Sequence, residues 1–183
     1  MIKKRVIIIG SSGIICENLK KIFKEKKIKA FFYGRQKADL TTMKSTKILK
    51  NKIRKNDKVI FVAAKAPAKN YEDFYLNILM LKNFLHSVNI SLIKHFIYIS
   101  SDAVYGDYKV IKESSRTNCN SIHGLMHLTR ELILRKIFNN KLCILRPTLI
   151  FGKEDKHSGY GPNQFYKLTK KNKNILLFGK GEE

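Results

Sequence analysis

The stretch RVIIIGSSGIICENL, Arg5 to Leu19, constrains the fold more than any other part of the chain. Arg5 to Ile9 is a β-rich apolar run with no polar alternation, so both faces of the strand it forms must be buried. Gly10 ends the run, Gly13 follows, and apolar residues then recur near the helical period at Ile14, Ile15, Leu19, Ile22 and Phe23. A buried strand, a glycine turn and an amphipathic helix through Lys27 is the expected order. The alternation continues. Ala30 to Tyr33 reads as a strand, a charged helix follows through about Arg54, and Lys58 to Ala63 is a third buried strand. Helix is expected over Tyr71 to Val88 and Ser121 to Phe138, with strands over His95 to Ser100 and Leu142 to Leu145. Apolar strands separated by amphipathic helices predict an α/β fold, a doubly wound parallel sheet of the Rossmann type.

With 183 residues, 44% of them apolar, the chain supports one core. Residues 1–150 are expected to form the dinucleotide-binding domain, and 151–183 the beginning of a C-terminal substrate region that the sequence leaves unfinished. GKEDKHSGYGP, Gly152 to Pro162, reads as a loop and Asn163 to Lys171 as a short helix before ILLFG. The three cysteines, Cys16, Cys119 and Cys143, fit no disulfide framework, and a reducing, cytoplasmic compartment is the expectation. No run approaches the roughly 20 apolar residues of a membrane span. The net charge of +23 invites a nucleic-acid reading. Its lysines, however, lie singly along helix faces with no aromatic platform for base stacking, so solvated faces explain them and no nucleic-acid partner is expected.

Open parallel sheets bind ligands at the carboxyl ends of their strands, and the first strand-to-helix turn takes a pyrophosphate on helix N-terminal amides. Gly10 and Gly13 suit the tight turn and close backbone approach, with Ser12 and Ile14 beside them. Cys16 stands where the usual pattern has a third glycine for helix-to-strand packing, and it reads as an inert core thiol. At the end of the second strand YGRQ carries no carboxylate to repel a 2′-phosphate. Arg35 is placed to pair with one, which favours NADP within the NAD(P) class.

By YISSDAVYGD, Tyr98 to Asp107, the chain resembles the extended short-chain dehydrogenase/reductase family, particularly the NAD-dependent epimerases and dehydratases of nucleotide sugars. GSSGIIC resembles the family's G-x-x-G-x-x-G. ADL, Ala38 to Leu40, resembles its adenine-side pair and places Asp39 and Leu40 there. VAAKAP resembles the strand end beside the cofactor, involving Ala63 and Ala64. Asn77 matches the family's helix asparagine, SSDAVYG puts Ser101 in the active-site serine position, and LRPTLIFG matches the R-P-x-x-x-[YF]-G strand and loop, with Pro147 near the nicotinamide. The resemblance implies NAD(P)-dependent hydride transfer on a nucleotide sugar, as in epimerisation, dehydration or ketoreduction. Asn163 is the polar candidate on the substrate side, and a homodimer is compatible with the resemblance.

The family's Y-x-x-x-K falls on HGLMH, so His123 and His127 stand in both catalytic places. An imidazole with ordinary pKa near 6.5 exchanges protons near neutrality without the cationic neighbour a phenol needs. His123 is therefore the candidate proton carrier, His127 the candidate for the ribose contact, and Ser101 the group on the substrate oxygen. Other readings stand beside this one. The histidines are ordinary half-buried residues of a catalytically silent NAD(P)-binding or interaction protein. Alternatively, Ser101 or Tyr105 does the acid–base work, or Ser101 only caps the following turn. Cys119, His123 and His127 have helical spacing for zinc, but no acidic residue completes the set nearby, so no metal site is expected.

Overall fold

The computed structural model describes residues 5–152 and 161–176. Five strands, β1 (Arg5–Ile9), β2 (Lys29–Tyr33), β3 (Asp57–Phe61), β4 (Ile93–Ile99) and β5 (Leu142–Leu145), form one sheet in the order β2-β1-β3-β4-β5. Every pair is parallel. The long helices are α1 (Ile14–Glu25), α3 (Tyr71–Ser87) and α4 (Ile122–Phe138), with a four-residue α2 (Met43–Thr46) and a separate α5 (Gly161–Lys170).

The pleat of β1 explains its uninterrupted apolar sequence. Ile7 and Ile9 join Val59, Phe61, Phe96 and Tyr98 on the face covered by Leu81 and Phe84 of α3 and Leu134 and Phe138 of α4. Val6 and Ile8 point the other way, into a smaller cluster with Ile60 and Cys16, against which Leu19 and Phe23 of α1 pack. Helices on opposite faces of a parallel sheet make the doubly wound arrangement expected from the sequence. Because β1 lies between β2 and β3, the chain reverses its winding direction at the β1/β3 junction, the place where such sheets open a crevice.

The charged segment after β2 departs from expectation. In place of a helix through Arg54 there is a turn, then α2, then a 3-10 turn over Lys47–Asn51. Asp39 is the cause: its carboxylate accepts from both the amide and the hydroxyl of Thr41 (2.9 and 2.7 Å), and its amide donates to Ser45 Oγ (2.8 Å). These local bonds offer the backbone an alternative to helix. Thr46 adds another by bonding back to the Met43 carbonyl at 2.9 Å. Strand and helix bounds elsewhere agree with the sequence reading to within about two residues, the scatter usual for element ends. Most of the loop expected from Gly152 to Pro162, and the end of ILLFG, lie outside the described residues.

α4 starts where another backbone leaves no room. A Cβ on Gly124 would stand 2.2 Å from the Ala103 carbonyl oxygen and 2.8 Å from Cys119 Cβ. Gly124→Ala must therefore push apart α4 and the 3-10 turn over Asp102–Val104. Urea unfolding should show a loss of about 1–3 kcal/mol, the range for overpacking a tight contact.

Candidate functional site

The crevice at the β1/β3 junction is a cleft of about 480 Å³ lined by Gly10, Ser12, Arg35, Asp39, Leu40, Ala63 and Ala64, among others. These residues, singled out from separate parts of the sequence, come together because β1, β2 and β3 end on the same edge of the sheet. Gly10 (φ 128°) and Gly13 (φ 87°) occupy the backbone region that side chains strain to adopt. No atom lies within 4 Å of where a Gly13 Cβ would be, so the space before α1 is open. At Gly34 a Cβ would fall 1.7 Å from Ser11 Oγ, so the end of β2 must be bare for the turn to pack against it.

The helix ends differ in a way that matters here. Asn70 caps α3 by accepting from the Asp73 amide, and Ser121 caps α4 by accepting from Gly124. α1 begins at Gly13 with no side-chain cap on its first amides, next to the open space at Gly13. Uncapped N-terminal amides, together with the positive end of the helix dipole, suit an anion. Cys16 is fully buried under this turn, and burial pushes its thiol up to about 11, which makes it the inert packing residue expected.

Across the cleft, Arg35 is almost fully exposed with Nε 3.4 Å from Asp39. The Thr41 hydrogen bonds hold the Asp39 carboxyl below its usual range, so it is ionised and fixed in place. Lys65, Tyr33, Thr41 and Met80 also line the cleft, and sequence reading missed them. Nothing about their types distinguishes them; only the convergence of strand ends does.

Asn77 does not line this cleft. It is fully buried, accepts from the Lys65 amide and donates to the carbonyls of Lys65 and Asp73, at 2.8–3.0 Å. Its part is to hold the loop after β3. Ser101 caps the Asp102–Val104 turn by accepting from Ala103 (3.2 Å), and its hydroxyl donates to Asp102 (3.1 Å). Pro147 accepts from the Asp102 amide (3.2 Å) and borders a second hollow with Tyr105 and Arg146. Tyr105 itself is buried beneath the Arg146 guanidinium. Asn163 donates to the Gly152 carbonyl at 2.9 Å.

The two histidines separate in role. His127 is buried with Nδ1 2.7 Å from the Tyr98 hydroxyl, and burial, with His123 and Arg130 nearby, pushes it down to about 3. It is a neutral core residue, and the ribose contact expected of it is not available to a ring turned towards Tyr98. His123 is half-buried and accepts at Nδ1 from the Ala68 amide (3.3 Å). Burial lowers its pKa below the ordinary imidazole value, with Asp102 opposing. The two rings meet edge to face at 4.7 Å. Among the described residues no three His, Cys, Asp or Glu side chains gather as a metal site.

Two further residues organise this end of the sheet. Arg130, fully buried, donates to the Ala63 carbonyl (3.1 Å) and twice to the Asn77 carbonyl (3.1 and 2.5 Å). Glu131 takes both arms of Arg146 (2.9 and 2.6 Å) and the Ser100 hydroxyl (2.6 Å). An Arg-Glu pair inside the apolar run LTRELIL was the available signal for both.

A sequence profile of the NAD dependent epimerase/dehydratase family matches residues 6–183. The chain belongs to that family. Solved structures agree on its fold. A dTDP-4-dehydrorhamnose reductase from Clostridium acetobutylicum superposes with a TM-score of 0.74 at 22% identity, covering 91% of this chain and 60% of that one. A UDP-glucose 4-epimerase from Thermotoga maritima, solved with UDP-glucose, gives 0.80 at 18% identity over 97% and 67%. The Bacillus anthracis dTDP-4-dehydrorhamnose reductase, in complex with NADP, gives 0.74 at 22% identity over 93% and 61%. The chain thus spans about 60% of the length of these family reductases. No curated protein matches it in sequence. No helix among the described residues is long and apolar enough to cross a membrane.

His127 sets an expected pH dependence. Its pKa is near 6.5 unfolded and about 3 folded, so its contribution is complete above pH 6.5 and is lost as pH falls towards 3. Between pH 7 and 5 the unfolding free energy should drop by about 2 kcal/mol, and His127→Gln should flatten the slope in denaturant titrations at both pH values.

Proposed function

We propose that this chain binds NAD(P), with NADP favoured, in the β1/β3 cleft and belongs to a nucleotide-sugar oxidoreductase or epimerase. In this reading residues 1–150 form the dinucleotide-binding unit and 151–183 begin the region that meets the sugar nucleotide. The observation that carries it is the open, uncapped start of α1 behind Gly10 and Gly13, at the point where the sheet reverses its winding. Backbone amides from Ser12 to Ile14 would take the pyrophosphate. Asp39 and Leu40 would border the adenine, and Ala63 and Ala64 would let the dinucleotide pass close to the end of β3.

Arg35 is the group for a 2′-phosphate, since among the described residues its exposed guanidinium has a single 3.4 Å contact, with Asp39, to give up and can form charge-assisted bonds. The NADP bound by the Bacillus anthracis reductase supports that preference. Asn77 acts from behind, fixing the loop at Lys65. Ser101, His123 and Pro147 would face the nicotinamide and the sugar, and Asn163 would lie on the substrate side. The bound cofactor supplies hydride exchange. The chain itself orients the sugar hydroxyl or carbonyl through Ser101 and manages the proton at His123. Its three cysteines, all free, fit a reducing cytoplasmic setting.

A second reading, a catalytically silent NAD(P)-binding protein, is favoured by one observation. Both histidines already spend Nδ1 on the protein, one on Tyr98 and the other on Ala68.

Fluorescence titration tests the cofactor reading. NADPH should bind more tightly than NADH, and Gly13→Asp should remove both by setting a carboxylate in the anion space. Arg35→Ala should weaken NADPH about tenfold and leave NADH unchanged, the loss of one charge-assisted contact. Binding of neither cofactor at millimolar concentration would sink the reading. NADPH oxidation with dTDP-4-dehydrorhamnose as probe separates the enzyme from the silent protein, which binds without turnover.

A further inference from the structure

We propose that the edge of the sheet where its strands begin is a docking face for an anionic lipid surface, on the side of the molecule opposite the cleft.

The lysines expected singly along helix faces are gathered by the fold. In a parallel sheet all strands start at one edge, and each helix or 3-10 turn leads the chain back to it. Lys24, Lys26, Lys27 and Lys29 are exposed around the passage from α1 into β2. Lys50, Lys52, Arg54 and Lys55 are exposed on the approach to β3. Lys94 is exposed at the start of β4, and Lys136 and Lys141 at the entry to β5. Glu25 is the exposed acid among them. Asp57, also at this edge, is 2% exposed and already taken, by Arg5 at 3.4 Å and by the Arg54 amide at 2.8 Å. The other described acids stand in first helical turns, in loops after the strands or, for Glu131, inside the protein.

Ion pairing divides the molecule in the same way. On the cleft side Lys20, Arg35 and Lys65 are matched with Glu17 (2.9 Å), Asp39 (3.4 Å) and Asp73 (2.6 Å). None of the exposed cations at the strand-start edge pairs with a carboxylate among the described residues. A basic residue in the last turn of a helix offsets the helix dipole, which accounts for Lys24 and Lys136. Lys52, Arg54, Lys55 and Lys94 lie outside every helix, so the dipole does not place them. Their loops are stitched together. Arg5 donates to the Lys52 carbonyl and the Asn56 amide to the Leu92 carbonyl, both at 2.9 Å.

Unpaired charge on one fixed face fits a partner that presents many anions in a plane. Five strands spaced about 4.8 Å make the face about 20 Å wide. Two observations favour lipid headgroups over nucleic acid. Ile28 is 37% exposed between Lys27 and Lys29, an apolar tip that can seat at headgroup depth while the lysine stems snorkel around it. The ring of Phe31, beside these lysines, is engaged by Arg5 and Lys29 at 4.9 and 5.9 Å and is not free to stack a base. A five-residue strand such as β1 sets the cleft about 17 Å from this edge, so a docked molecule keeps the cleft open to solvent.

Co-sedimentation of the full chain with vesicles tests the face. At about 0.15 M salt, where charges are screened beyond about 8 Å, phosphatidylcholine vesicles with about 30% phosphatidylserine should bind the chain and pure phosphatidylcholine should not. Binding to neither, or equally to both, overturns the proposal. A cation near an anionic surface is worth about fivefold, so Lys52→Glu, Lys55→Glu and Lys94→Glu together should weaken binding about a hundredfold or more. Lys37→Glu, Lys82→Glu and Lys109→Glu change the net charge equally and should cost at most about fivefold. Equal losses in the two triple variants mean attraction by total charge and overturn the face. All six side chains are exposed, circular dichroism checks the fold, and alanine replaces glutamate in any variant that fails to fold. Ile28→Ser should weaken binding about threefold, and an unchanged affinity overturns its seating in the headgroups. A DNA duplex of about 30 base pairs that is held at the same salt, and released by the strand-edge triple variant, assigns the face to nucleic acid and overturns the lipid. These readouts need no NAD(P), so their failure and that of the cofactor reading are separate.

Discussion

The Arg130 guanidinium has no exposure to water, and the end of the sheet is assembled around that fact. An arginine stays charged in a protein, so its burial is tolerable only when its N–H groups all find acceptors. Here the carbonyls of Ala63, in the loop after β3, and of Asn77 in α3 accept, Tyr98 of β4 joins them, and the ring of Phe61 lies 5.5 Å from the group. The charge sits on α4, so one side chain ties that helix to every element bordering the loop after β3. Burial of the charge opposes its ionisation, and only the dense set of acceptors holds it there.

Glu131, the next residue, faces the other way and is bonded to Arg146 and Ser100. Adjacent opposite charges that ignore each other make α4 a two-sided connector. Its Arg130 side governs the loop behind the cleft, and its Glu131 side governs the approach to Pro147. His127, one turn before Arg130 and Glu131 on α4, is buried with them, and His123, one turn earlier again, is half-buried.

Much of this was legible in the sequence because it follows from periodicity. The burial of β1 on both faces, the helix after it and the parallel order are consequences of RVIIIG and its repeats. The cleft residues Gly10 and Arg35 were legible because strand ends carry them, and Asp39 and Ala63 through the resemblance carried by ADL and VAAKAP. What failed was local or tertiary. Asp39 and Thr41 broke an expected helix by side-chain bonds that a charge pattern does not display. Asn77 and His127 were assigned outward roles by resemblance, while their side chains are consumed inside the protein by Lys65 and Tyr98. The Ala68 amide had no sequence signal at all, because any residue except proline presents one.

The bare start of α1 has a consequence for how the domain is held together. Without a side chain to satisfy those amides, water must do so, and the first turn is secured less well than the same turn in α3 or α4. An anion lodged there acts as the missing cap. Occupancy and folding are then linked by mass action, and ligand at a hundred times its dissociation constant adds about 2.7 kcal/mol to the native state. A chain that lodges an anion at this turn is therefore a fold whose robustness tracks the concentration of what it holds.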